Sequence, residues 1–368
     1  MNEVKQLPIL YDFQTFEIQR YGGISRYFYE IIKRMDKKEV EVALMFSCNQ
    51  YIKKKDICNY YSFLPFRVFK LFKGVLRLLN RKHALKVLSD KQFLFHPTYY
   101  DTYYLTALGD RPLVLTVHDM IHEKFPQYFS EKDKTAEKKA LLIARAQRVI
   151  AISNHTKNDL IELLHVDPEK IDVIYHGINP VKSTYIGLSL PDSYILYVGE
   201  RGRYKNYSRL LNVFIRLRIE NKELRLVCTG KPFRKHELET LKNLGLSNYV
   251  SYVDANDDEL GQLYREACLF VYPSLYEGFG IPILEAYANE CPVVLSRASC
   301  FPEVAGEAGE YFDPESEEEM ESAISRVLTD EERRKELIRL GNERVRLFTW
   351  EETARQTQET YHKIFKSI

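Results

Sequence analysis

Hydrophobic residues along this chain come in short, nearly continuous runs rather than in strict alternation. In the first half the runs are PILYDF, VEVALMF, FLFHP, LVLTVHD, RVIAIS and IDVIYHG; in the second they are YILYVGE, LRLVCTG, YVSYVD, LFVYPS, PVVLS and GEYFD. Runs this short, rich in β-branched and aromatic residues, read as parallel strands covered on both faces. Between them lie segments of helical period: ISRYFYEIIKRM, EKKALLIARA, HTKNDLIELL, YSRLLNVFIRLR, DELGQLYREA and EEEMESAISRVL. Strand and helix alternating in this way predict an α/β fold of two doubly wound domains. HGINPVKSTYIGLSLPDS holds two glycines and two prolines and marks the boundary. The expected division is an N-terminal domain over 1–182, a C-terminal domain over 183–349 and a terminal helix over 350–368 that packs back on the first domain.

The length of 368 residues agrees with two domains, at roughly 100–200 residues each. A formal charge of +1 argues against a surface built wholly to grip nucleic acid. The six cysteines are scattered without a Cys-x-x-Cys pair, which favours reduced core thiols and a cytoplasmic setting over a zinc site. MNEVKQLPILYDF carries an acid near its start and no long apolar core, so it does not read as a secretory signal. No apolar run approaches the length of a membrane span.

In open parallel sheets ligands bind beyond the carboxyl ends of the strands, so polar residues directly after strands matter most. LYVGERGRYKNYSRLL is strand, turn and helix; Gly199 and Gly202 allow a tight bend, and Arg201 and Lys205 bring cations to a helix start. Helix N-termini already attract anions, and arginine and lysine suit phosphate, so the segment reads either as a diphosphate site or as a solvated basic turn. No Gly-x-Gly-x-x-Gly or P-loop is present. SLYEGFGIPILEAYANECPVVLS places Glu277 on a turn, Gly278, Phe279 and Gly280 after it, Pro282 at the expected first helical position and Glu285 one turn further. A carboxylate at Glu285 suits two vicinal hydroxyls, and one at Glu277 a hydroxylated ligand or developing positive charge. The plainer alternative is helix-start acids near a dipole. In the first half His118 and Asp119 follow a strand, and His118 suits a sugar hydroxyl or a leaving oxygen. His122 lies four residues on, but a third metal ligand is lacking nearby. Gly22 and Gly23 open a helix, for close approach to a ligand or for a left-handed turn. Ser153 reads as a helix cap.

Taken together, YGGISRYF, TVHDMIHEKFP, ISNHTKNDL, VGERGRYKN and PSLYEGFGIPILEAYANECPVVLSRASCFPEVAGEAGEYFDP resemble the family-4 retaining glycosyltransferases over nearly the whole chain. The resemblance implies the GT-B fold, two facing Rossmann-like domains with a deep cleft between them. It implies transfer of a hexose from a nucleotide-diphosphate sugar to a hydroxyl of a glycan or lipid-linked acceptor, with retention. By the same resemblance Arg201 and Lys205 hold the donor diphosphate, Glu277 faces the transferred sugar with the amides of Gly278, Phe279 and Gly280 nearby, and Glu285 holds the ribose. His118 stands beside the donor sugar, and Gly22 and Gly23 approach the donor phosphates and acceptor. The Arg201 to Lys205 spacing is shorter than in many relatives, which leaves room for Arg203. Asp-x-Asp is absent, so no metal or other cofactor is expected. YGGISRYF with HDMIHEKFP resembles mannosyl-transferring members of bacterial polysaccharide or O-antigen assembly, which points to GDP-mannose, with UDP-sugars open. An inactive sugar-nucleotide-binding protein and a sugar-nucleotide epimerase of the same architecture are the rival readings.

From Phe66 to Leu88 seven basic residues interleave with Phe, Leu and Val, and no acid interrupts them. As a helix this stretch reads either as a basic amphipathic face for an anionic membrane or as an ordinary packed helix with a solvated basic side. A lipid-diphosphate-linked acceptor and a peripheral location on the inner face of the cytoplasmic membrane fit the first reading.

Overall fold

Each of the twelve apolar runs contains a strand in the structure, a computed structural model that describes residues 7–58, 62–179 and 182–366. The first six residues, and Pro180 and Val181 of the boundary stretch, lie outside the described residues. The chain divides into two compact units, Met1–Gly177 with Thr349–Ile368, and Ile178–Phe348. Residues 182–190 are stitched to the second unit: Ser183 N–H donates to Asn289 (3.0 Å), and Leu188 exchanges two bonds with the Gln262 amide (2.9 and 3.0 Å).

In the first unit the strands are β1 (Ile9–Asp12), β2 (Val40–Ala43), β3 (Phe46–Ser47), β4 (Ser62–Phe63), β5 (Leu94–His96), β6 (Val114–Val117), β7 (Arg148–Ala151) and β8 (Ile171–Val173). The parallel sheets β2-β1-β5 and β6-β7-β8 are joined by a bridge between Phe95 and Leu113. The small β3-β4 pair was not legible in the apolar pattern, because two-residue strands have no period to read.

The stretch expected as one basic helix turns at Phe72 (φ −105°, ψ 15°) into helices Phe66–Leu71 and Lys73–Asp90. Phe69 and Leu76 close with Cys48 on a small satellite core. Leu76, Asn80, Ala84 and Leu88, spaced by four, form the buried face of the second helix.

The helix Trp350–Phe365, capped by Thr349, belongs to the first unit. Trp350 is fully buried, and Tyr361 hydroxyl meets Tyr11 hydroxyl at 2.5 Å and His96 Nδ1 at 2.7 Å. Gly177 makes this crossing possible, since a Cβ there would lie 2.2 Å from the Trp350 amide nitrogen.

The second unit is one six-stranded parallel sheet: β9 (Tyr194–Val198), β10 (Arg225–Thr229), β11 (Val250–Val253), β12 (Leu269–Tyr272), β13 (Val293–Ser296) and β14 (Gly309–Phe312), in the order β11-β10-β9-β12-β13-β14. Chain direction across the sheet reverses between β9 and β12. That is the topological switch point, where doubly wound sheets open a crevice for ligands.

Three histidines are buried in the first unit. Burial drives His96 down to about 3, and burial reinforced by His96 and Lys139 does the same for His118; His176 is also depressed, first by burial. The folded state keeps these imidazoles neutral where the unfolded chain protonates near its ordinary value. Between the two values the unfolded state binds more protons, so their contribution is complete above about pH 6.5 and is lost as pH falls. We expect stability by urea unfolding to drop between pH 7 and 5, and His96→Gln to make the drop shallower by roughly 1.4 kcal/mol per pH unit. Equal slopes for both proteins would show that His96 carries none of it.

Candidate functional site

The loops at the carboxyl ends of β9 and β12 meet directly across the switch point. Leu275 N–H donates to Tyr204 carbonyl at 2.8 Å, and Lys205 Nζ lies 2.6 Å from Glu277 Oε1. Only 17% of the lysine side chain and 11% of the glutamate side chain remain exposed. Burial is the largest single effect and lowers the lysine, but the charge and hydrogen bond of Glu277, with Tyr204 and Glu200, together outweigh it and hold the ammonium above its ordinary value. Glu277 N–H donates to Ser299 Oγ at 3.1 Å, and Cys300 Sγ approaches the Glu277 carbonyl at 3.3 Å, so the turn is also tied to the loop after β13. Burial, reinforced by Glu277, raises the Tyr272 phenol and keeps it a neutral donor.

Two helices begin beside this pair. Tyr207–Glu220 follows the short 3₁₀ turn Arg203–Lys205, and its N-cap Asn206 makes no side-chain capping bond: its Oδ1 accepts from Arg209 Nη1 at 3.3 Å and its amide donates to Pro314 carbonyl at 2.8 Å. Ile281–Ala288 has Gly280 as N-cap, again without a side-chain cap. Gly280 has φ +94°, open to glycine at little cost, and a Cβ there would press on Ile283 Cδ1 at 3.0 Å. Pro282 is the second helical residue rather than the expected first; its missing N–H costs nothing there for the same reason. Two helix N-termini free of side-chain caps beside a lysine make an anion-attracting corner.

Arg201, on the same loop after β9 as Lys205, is held differently. Its Nε donates to Glu237 at 3.1 Å, its Nη2 to Lys231 and Pro232 carbonyls at 2.5 and 3.0 Å, and its guanidinium carbon is 4.5 Å from the centroid of the Phe233 ring. Among the described residues its Nη1 is buried without a partner. Arg201 is therefore held by the loop after β10, while Lys205 is held by the loop after β12. Glu285, half-buried in the second turn of its helix, accepts from Tyr264 hydroxyl at 3.4 Å. Ser299, Tyr272 and Tyr264 carried no signal in the sequence, being single polar residues within or beside apolar runs.

In the first unit Gly22 is the N-cap of the helix Gly23–Lys33 and has φ 168°, so the left-handed turn does not occur. The backbone is extended, and Gln19 fills the space a Cβ would take, its Oε1 accepting from Ser25 N–H at 3.0 Å. Tyr27 and Phe28 of the same helix pack edge-on against His118. His118 N–H donates to Tyr100 hydroxyl at 2.9 Å, and its buried Nε2 has no partner among the described residues. Buried Lys139 anchors the following turn through Asp119 carbonyl (2.7 Å) and Glu123 (3.0 Å). His122 instead stacks on Phe129 and pairs with Asp133. Ser153 caps its helix through Thr156 N–H as expected. Among the described residues no group of three or more His, Cys, Asp or Glu is arranged to hold a metal ion.

Residues 186–344 match the family Glycosyl transferases group 1, and residues 21–182 match Glycosyltransferase Family 4. The chain is similar to O-antigen chain mannosyltransferase B of Escherichia coli, 29% identical over 92% of this chain and 95% of that protein. It is 31% identical to the O-antigen chain mannosyltransferase RfbU of Salmonella typhimurium over 59% of this chain and 61% of that one. Among solved structures it resembles sucrose-phosphate synthase from Thermosynechococcus elongatus, with TM-score 0.76 and 22% identity over 98% of this chain and 100% of that chain. It also resembles Anabaena HepE solved with UDP-glucose, with TM-score 0.73 and 18% identity over 97% of this chain and 100% of that chain. These likenesses establish the architecture, and with both halves matched to transferase families the protein belongs to the family-4 glycosyltransferases of GT-B fold.

Proposed function

We propose that the protein transfers a mannosyl residue from GDP-mannose, with retention, to a hydroxyl of a lipid-linked glycan. The observation that carries this reading is the Lys205–Glu277 pair across the switch point, flanked by two helix starts whose N-caps lend them no side-chain bond. Such a corner suits a diphosphate: Lys205 supplies a point charge, the peptide N–H groups of Gly278, Phe279 and Gly280 and of the helix starts supply fixed dipoles, and Arg201 has its Nη1 amino group to offer, unpartnered among the described residues. Glu285 would take the ribose hydroxyls. Both named O-antigen relatives are mannosyltransferases, which favours mannose as the sugar.

In this reading catalysis is preorganised charge rather than a covalent nucleophile. As the glycosidic bond breaks, negative charge grows on the departing diphosphate, where Lys205 and the amides already stand. Positive charge grows on the sugar, which Glu277 would face once the diphosphate takes Lys205 from it. The departing phosphate oxygen receives the proton of the acceptor hydroxyl attacking from the same face, which retains the anomeric configuration. His118, neutral because it is buried, would serve as a hydrogen-bonding group toward a sugar hydroxyl rather than as a cation. The diphosphate's charge is met by side chains and amides, so the reading calls on no metal.

Lipid linkage of the acceptor draws on the surface around Phe72. Leu71, Phe72, Val75 and Leu78 are 76, 51, 59 and 51% exposed, with Arg67, Lys70, Lys73, Arg77 and Arg81 among and just after them. Exposed apolar side chains interleaved with cations suit an anionic lipid surface. Among the described residues no helix is long and apolar enough to cross a membrane.

A metal-free thermal-shift screen of nucleotide sugars tests the donor: a ligand at about 100 times its Kd adds roughly 2.7 kcal/mol. We expect GDP-mannose to give the largest shift, and Lys205→Ala and Glu285→Ala each to abolish it; unchanged shifts in both variants would refute the donor site. Glu277→Gln should lower kcat by about 10²-fold or more and, by leaving buried Lys205 without its carboxylate, also lower stability, as read by steady-state transfer and urea unfolding. Sedimentation with vesicles containing phosphatidylglycerol should carry the wild type down and leave the Leu71→Asp/Val75→Asp variant in the supernatant. Equal partition of the two proteins would remove the membrane face.

A further inference from the structure

The turn that carries Glu277 is gripped along its length by the loop after β13. At its head Ser296 hydroxyl donates to Ser274 carbonyl at 2.5 Å. At its tail lies Phe301, whose ring centroid is 4.6 Å from that of Tyr272 and whose Cε1 would stand 3.2 Å from a Cβ on Gly280. Between these anchors consecutive residues take both main-chain polar groups of Glu277. Ser299 Oγ accepts from its N–H at 3.1 Å, and Cys300 Sγ approaches its carbonyl at 3.3 Å. Ser299 hydroxyl faces Cys300 Sγ at 3.9 Å, so the contacts close a ring: amide to hydroxyl, hydroxyl to thiol, thiol back to carbonyl. Cys300 is fully buried, and burial, reinforced by Glu277, raises its thiol and keeps it a donor. Hydrogen bonds linked in this way polarise one another in a dry interior.

Ser299 holds its place under strain. Phe301 N–H donates to Ala298 carbonyl at 3.2 Å, closing a four-residue turn with Ser299 and Cys300 at its centre. Ser299 has φ +50°, and Cys300 has φ −78° and ψ −3°. Those angles fit a type II′ turn, whose first central position favours glycine. Among the described residues six that are not glycine have positive φ, and three of them, Arg203, Asn206 and Ser299, lie beside the Lys205–Glu277 pair on the segments after β9 and β13. The strain therefore gathers at this corner, as it does where a fold fixes a functional geometry. What serine has at this turn and glycine lacks is the hydroxyl that meets the Glu277 amide.

In the donor reading the diphosphate takes Lys205 from Glu277, and the ion pair that aims the carboxylate in the empty site is lost. The clasp on the Glu277 backbone does not involve Lys205, and it remains.

We propose that Ser299 is a positioning residue for the transfer: its bond to the Glu277 amide, made from a strained turn, keeps the carboxylate aimed at the transferred sugar after Lys205 has turned to the diphosphate. The inference rests on the donor reading above and adds to it the group that holds Glu277 when its ion pair is broken.

The test is steady-state transfer with whichever nucleotide sugar gives the wild type its highest turnover. Ser299→Ala should lower kcat about tenfold or more while leaving KM for the nucleotide sugar within about twofold. Ser299→Gly should lower kcat as far, although glycine takes φ +50° freely and should leave stability in urea at or above that of Ser299→Ala. In the Glu277→Gln background, adding Ser299→Ala should change kcat by less than about twofold, because the carboxylate it aims is gone. Activity restored by glycine would mark Ser299 as a structural residue and overturn the inference. So would wild-type kcat in both Ser299 variants, or a second fall of the same size in the double variant, and each of these leaves the donor reading standing. Wild-type kcat in Glu277→Gln itself would overturn the donor reading and this inference together.

Discussion

A buried lysine and a buried glutamate, drawn together where the order of strands reverses, form the constraint around which the second unit is arranged. Taking either charge out of water alone would be costly, so each requires the other while the site is empty. Lys205 arrives on a 3₁₀ turn after β9, and Glu277 on a turn after β12. The backbone bond from Leu275 to Tyr204 and the Ser299 bond to Glu277 fix the distance between the turns. Glycine enters for the same reason: at Gly280 the chain must take a left-handed conformation so that the helix behind it starts without a side-chain cap.

In the proposed function this ion pair takes on a second role. A diphosphate entering the corner would offer Lys205 a second, stronger anionic partner, and the carboxylate left behind would become available to a cationic centre. The charges that stabilise the empty fold would then be the charges a transfer reaction needs, with little reorganisation between the two states. Arg201 follows a different logic. Its contacts with Glu237, two carbonyls and the Phe233 ring make it part of the loop after β10, so a ligand would find it already fixed, with its Nη1 amino group to offer.

The first unit solves a related problem with neutral groups. His96, His118 and His176 are packed among Tyr11, Tyr27, Tyr361 and Trp350, an interior too dry for imidazolium. Helix Trp350–Phe365, remote in sequence, supplies part of that interior, and its register depends on the bare backbone of Gly177. On the opposite logic, Asp12 is kept as a buried acid by four donors, one carboxylate doing for the loops after β1 and β5 what the ion pair does in the second unit.

The apolar runs alone determined the strands, because a strand buried on both faces has nowhere to put polar residues. They determined the doubly wound class, because parallel strands require helical crossovers. The residue types at strand ends also singled out 199–205 and 277–285, two stretches whose turns the fold brings together, since a turn into a helix start has its own chemistry. What a linear pattern does not carry is partnership between distant positions. Only the fold decided that Lys205 pairs with Glu277 and Arg201 with Glu237, that Tyr264 bonds Glu285 and Ser299 bonds Glu277, that the basic stretch turns at Phe72, and that Asp12 ties the loops after β1 and β5 together. Each of these depends on which loops the sheet order brings side by side, and that order is set by packing across the whole unit rather than by any local period.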